Sequence, residues 1–152
     1  MSYFDKLRPW THIERCVCPQ RTRLVLVDAL TDNPIHCFEC RKEVDAQLLE
    51  LDEHTVDQLA SWFHSFKALY ALWLNSGEYE AYAKVRLLDA NGQVNLEGMA
   101  IASKMSNLRR TYYWWFHDSD DGVPTHCPNC AAPLDGELKF GTGKCDVCNV
   151  VM

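Results

Sequence analysis

Eight cysteines divide the chain. Cys16, Cys18, Cys37 and Cys40 fall within the first 40 residues, Cys127, Cys130, Cys145 and Cys148 within the last 26, and none lies between. Each block must gather four thiols or leave them idle. Residues 1–9 contain no apolar run of the kind that marks a secretory leader, so an intracellular, cytoplasmic protein is expected. Thiols stay reduced there, and eight of them argue for metal ligation rather than disulfides. The chain is 47% hydrophobic, enough for a core. Its longest apolar stretch, around Trp73-Leu74, is broken by Asn75-Ser76-Gly77, so no membrane span is expected.

The C-terminal block is the more regular. Cys127-Pro-Asn-Cys130 and Cys145-Asp-Val-Cys148 are two CxxC pairs with fourteen residues between them. A CxxC turn aims two thiolates at one point, and two such knuckles supply the four ligands of a tetrahedral zinc site. Leu134, Leu138 and Phe140, interspersed with Gly136, Gly141 and Gly143, predict a short hairpin joining the knuckles. A thioredoxin-like redox role needs a βαβ context that this segment lacks. A Cys₄ set also suits iron, so the pattern alone leaves zinc and iron open.

The N-terminal block repeats the layout with one change. Cys16-Val-Cys18 has one residue between its thiols, and Cys37-Phe-Glu-Cys40 has two. A predicted strand, Arg23-Leu-Val-Leu-Val27, and a turn at Thr31-Asp-Asn-Pro34 separate the pairs. A second zinc is expected here, with His12 and His36 as spare ligands. His36-Cys37 and His126-Cys127 look alike, but two residues do not establish a duplication.

The middle reads as helical. Thr55-Val-Asp-Gln58 has the form of a capping box, and Leu59, Trp62, Phe63, Phe66, Tyr70 and Trp73 follow at helical spacing up to Gly77. A second helix is expected over residues 78–88 and a third over 96–108. Thr111-Tyr-Tyr-Trp-Trp-Phe-His117 predicts a strand covered on both faces. Residues 118–124 form a polar connector. The expected fold is α+β, with zinc-ribbon-like Cys₄ hairpin modules at 1–45 and 125–152 around a helical segment at 46–124.

Charge bears on partners. Residues 45–124 carry twelve Asp/Glu against six Lys/Arg, whereas 1–44 carry six against seven and 125–152 three against two. The acidic middle predicts a basic protein partner, met by Asp52, Glu53, Asp57, Glu78, Glu80, Asp118, Asp120 and Asp121. Nucleic acid is the alternative partner. It would use Arg21, Arg23, Arg41, Lys42, Arg109 and Arg110, with the residue 112–116 aromatics as stacking platforms. No HExxH, nucleophile elbow or phosphate-binding loop is present, and two saturated Cys₄ sites leave no open metal position, so no enzyme is expected.

Several features occur in a shared order: the helical segment ending Asn75-Ser76-Gly77-Glu78, Asn95-Leu-Glu-Gly98, the strand Tyr112-Tyr113-Trp114-Trp115, Cys127-Pro-Asn-Cys130 and Lys144-Cys145-Asp-Val-Cys148. In these the chain resembles a bacterial family of zinc-ribbon-containing proteins of unknown function that carries a nucleic-acid-binding label. The likeness covers roughly residues 60–152. Ala131 stands where that family usually has Gly, and the N-terminal block has no match in it. The resemblance implies zinc and a ribbon fold, and no catalytic residues. The expected function is a non-enzymatic protein with two structural zinc ions that binds another protein, as an immunity (toxin-neutralising) or adaptor protein.

Overall fold

The computed structural model describes residues 2–7, 15–20 and 22–152; His12 and Arg21 lie outside them. Apolar residues that alternate in direction build a five-stranded sheet. Its strands are β1 (Arg23–Leu26), β2 (Ile35–Cys37), β3 (Arg110–Trp114), β4 (Lys144–Cys145) and β5 (Val150–Val151), in the order β2-β1-β3-β5-β4. β3 is central and runs parallel to both neighbours, with Leu24 opposite Thr111 and Trp114 opposite Val151. β2 and β4 close the two sides as antiparallel partners. Strands from all three expected segments therefore share one sheet.

Three α-helices occur among the described residues: α1 (Glu53–Asn75), α2 (Glu80–Leu88) and α3 (Gln93–Met105). α1 begins earlier than the capping-box reading placed it. Asp52 is the N-cap, and its Oδ1 accepts from the Thr55 N–H at 2.7 Å. A carboxylate there satisfies an orphan N–H and faces the positive helix end, so Thr55 turns inward in the first turn. Gly77, at φ +65°, ends the helix as expected. α3 begins three residues before the expected start. Asp89 Oδ1 accepts from Asn91 N–H at 2.9 Å, and Gly92 N–H reaches Asp89 O at 3.0 Å. That tight turn lets Gly92 serve as N-cap and buries Val94 and Asn95.

The sheet is covered on both faces. Thr111, Tyr113, Leu24, Leu26 and Val150 belong with the helices, where Trp62 (1% exposed) and Phe66 are buried. Tyr70 and Trp73 pack half-buried against the same core. Val25, Tyr112 and Val151 point the other way and form a smaller cluster with Phe38, Trp114 and Leu138. β3 stops at Trp114 rather than at residue 117, because β5 offers it only Val150–Val151; Trp115 and Phe116 continue buried. The expected C-terminal hairpin also differs. β4 and β5 pair across the second knuckle, and residues 134–143 hold a single bridge, Asp135 to Lys144. Gly141 takes φ +94° and lies so close to the C-terminal strand that a Cβ would meet Met152 O at 2.6 Å. No helix of the described residues is long and apolar enough to cross a membrane.

Candidate metal centres

The CxxC turns build the sites. In the first, Arg41 N–H donates to Cys37 O and Cys37 N–H to Lys42 O, both at 2.8 Å, and Val44 N–H reaches Ile35 O at 3.0 Å. In the second, Ala131 N–H donates to Cys127 O at 2.9 Å, Cys127 N–H to Ala132 O at 2.8 Å, and Leu134 N–H to Thr125 O at 3.0 Å. Bond for bond, residues 35–44 and 125–134 match at a constant offset. The likeness of His36-Cys37 to His126-Cys127 extends to the bridges His36–Glu43 and His126–Pro133. The residue after each CxxC takes a left-handed conformation: Arg41 at φ 61°, Ala131 at 62° and Asn149 at 57°. That reversal points the thiols and the neighbouring N–H groups inward together.

All four ligand positions of each block converge. The Sγ atoms of Cys16, Cys18, Cys37 and Cys40 lie within 4.8 Å of one another, as do those of Cys127, Cys130, Cys145 and Cys148. Tetrahedral sulfur around a metal at about 2.3 Å puts sulfurs about 3.8 Å apart, and Cys130 Sγ lies 3.7 Å from Cys145 Sγ. The residues present therefore fit two metal ions, one per block. The CxC pair completes its set despite its shorter spacing, with Cys18 N–H directed at Cys16 Sγ at 3.4 Å.

Each centre combines thiols of opposite tendency. Burial pushes the Cys16 and Cys127 thiols up to about 12. The Ala132 N–H, with Cys148 beside it, holds Cys130 down at about 7. Burial opposes ionisation of Cys40 as well, but the Lys42 N–H and the neighbouring thiols bring it below its ordinary value. Four thiolates at such distances need a positive charge among them. His36 is no spare ligand: its Nδ1 lies 2.8 Å from Arg41 O and its Nε2 3.1 Å from Asn33 O.

The acidic residues do not converge on one place. Asp52 caps α1 and Asp57 pairs with Lys6 beside exposed Glu53. Glu78 and Glu80 lie past the far end of a 23-residue helix, about 34 Å long at 1.5 Å per residue. Asp118 is only 8% exposed; its Oδ2 takes Lys84 Nζ at 2.8 Å and its Oδ1 the Asp120 N–H at 3.0 Å. Asp121 pairs with the same lysine at 3.0 Å, and Asp120 is exposed.

One feature escaped the sequence reading. Tyr79, Tyr82 and Val85 are 52%, 60% and 56% exposed beside Glu78 and Glu80; their three-residue spacing was the available signal. On the sheet's outer face, Arg23 stacks on Phe38, Arg110 on Tyr112, and Arg41 on Phe38 and Trp114. These arginines and the residue 112–116 aromatics are the groups expected of a nucleic-acid surface; the structure adds Phe38 to them and stacks the cations on the rings. No family model, curated protein or solved structure matches the chain.

Proposed function

We propose that the chain is a non-enzymatic protein whose two Cys₄ sets hold structural zinc in ribbon-like modules. Its role is to bind a basic protein partner at the α1–α2 corner, as an adaptor or a toxin-neutralising immunity protein in a reducing, cytoplasmic compartment. Zinc is the cation that saturated four-thiolate structural sites take, and four protein ligands leave no open position for chemistry. The likeness to the zinc-ribbon family belongs to the same reading.

The observation that carries the partner assignment is the exposed stripe Tyr79, Tyr82 and Val85 flanked by Glu78 and Glu80. Tyrosines among acids are the residue types that anchor interfaces and steer a basic partner in. Nucleic acid is the weaker reading. The outer-face cations Arg23, Arg110 and Lys144 already pair with Glu39, Asp146 and Asp135, and Arg41 is bonded to the Phe38 and Phe140 carbonyls, so these groups are committed within the protein rather than presented to phosphates.

The test uses the zinc-loaded chain as bait in host lysate, with and without nuclease. A specific protein should be retained by the wild type and lost with Glu78→Lys/Glu80→Lys or Tyr82→Ala. Retention of nucleic acid alone, strengthened by the charge reversals, would sink the reading.

A further inference from the structure

Arg41 occupies a backbone position that suits glycine. Its φ of 61° disfavours any residue with a Cβ, and its counterpart after the Cys127–Cys130 turn, Ala131, carries a side chain too short to reach a neighbouring module. Arg41 follows the ligand Cys40 directly, and its N–H donates to the carbonyl of the ligand Cys37 at 2.8 Å. Its guanidinium keeps one bond to that module and reaches across to the other. Nη2 donates to Phe140 O at 3.0 Å, Nε to Phe38 O at 3.1 Å, and the group stacks over Trp114 at 5.1 Å and Phe140 at 5.9 Å.

The receiving loop is itself tied to the second site. Thr142 N–H donates to Met152 O at 2.5 Å and Met152 N–H to Gly143 O at 2.9 Å, two residues before the ligand Cys145. Thus one residue has its backbone in the first knuckle and its head on the loop that leads into the second site. β3 supplies a rigid support between them, bonded to β1 on one side and β5 on the other. A metal that fixes the Cys37–Cys40 turn fixes the Arg41 backbone, and through it the Phe140 carbonyl.

We propose that Arg41 couples the two metal sites, so that zinc in the Cys16/Cys18/Cys37/Cys40 set tightens zinc binding in the Cys127/Cys130/Cys145/Cys148 set, and the reverse. The coupling rests on both sets holding zinc. By linkage each site changes the other by the same factor.

The experiment measures zinc affinity at the second set by chelator competition in the full chain. Four forms are compared: wild type, Cys37→Ser, Arg41→Gly and the double variant. Cys37→Ser should weaken the second set roughly 5-fold or more when Arg41 is present, the lower end of ordinary couplings. In the Arg41→Gly background the same change should cost less than about twofold, the range of independent sites. An equal loss in both backgrounds, or none in either, overturns the coupling while leaving two zinc sites standing. Absence of zinc from both sets overturns the metal reading as well. Should Cys37→Ser fail to fold, zinc release to EDTA decides. Wild type should lose both ions in one phase and Arg41→Gly in two, and identical profiles overturn the proposal.

Discussion

The Tyr113 hydroxyl donates to Asn95 Oδ1 at 2.8 Å, and the Asn95 amide donates onward to the carbonyls of Leu87 and Asp89 at 2.8 and 2.9 Å. One buried side chain thus ties the central strand to α3 and to the end of α2. Gly98, on the same face of α3, leaves the space the Tyr113 ring occupies: a Cβ there would meet Cε1 at 2.5 Å.

Gly98→Ala tests that fit. Alanine in a helix interior ordinarily gains about 1 kcal/mol over glycine. Overpacking a filled core costs roughly 1–3 kcal/mol, so the net change should be destabilising. Asn95→Ala should cost about 1–3 kcal/mol by orphaning the Tyr113 hydroxyl and two carbonyls. Denaturant titration checks both, and a stabilised Gly98→Ala protein would mean that α3 can shift away from β3.

Metal analysis should find two zinc ions per chain. Cys127→Ser should lose one of them and destabilise the fold far more than a surface change, because ligand binding and folding are one equilibrium in such sites. Cys16→Ser should also lose one, since His36 is already committed to two carbonyls. Iron colour in the purified protein would replace zinc in both sites.

Alkaline pH should erode stability through Tyr113. Burial pushes its phenol well above the ordinary range, and burial together with Asp146 raises Tyr112 as well. A folded pKa above the unfolded value of about 10 gives stabilisation that is complete below that pH and lost as pH rises past it. Tyrosinate absorbance should therefore lag for these two residues until unfolding. Tyr113→Phe should flatten the alkaline loss of melting temperature; an unchanged slope would place the effect elsewhere.

Charge reversal should separate surface acids from structural ones. Glu78→Lys should leave stability within about 0.5 kcal/mol, as for an exposed position free of packing, and Glu80→Lys should cost about 0.5–1 kcal/mol, because Glu80 opens the first turn of α2 and faces its positive end. Asp118→Lys should lower the melting temperature clearly, because it replaces the partner of Lys84 with a like charge at a site only 8% exposed. Equal effects for all three would contradict the ion pair.

The α+β class, the three helices and the two thiol sets were legible in the sequence because each rests on short-range rules. A CxxC turn places its thiols within four residues, and the spacing of Trp62, Phe66, Tyr70 and Trp73 marks one helix face wherever that helix packs. The start of α1 was misplaced by only a few residues, since Asp52 and Thr55 both look like caps and only one can fill the position.

What only the tertiary structure decided depends on residues far apart in the chain. Nothing near Arg110 or Tyr113 says that β3 joins both cysteine blocks in one sheet. Its register is set by burying Thr111 and Tyr113 against the helices and Tyr112 against Phe38. Asp118 looked like a solvated connector because Lys84 stands 34 residues away in sequence, and Arg41 looked like a surface cation because its acceptor, Phe140 O, is 99 residues away. The physical reason is one of range. Thiol spacing and helical periodicity act within a few residues, whereas ion pairs, stacking and strand register are chosen by whichever distant groups the buried core brings into contact.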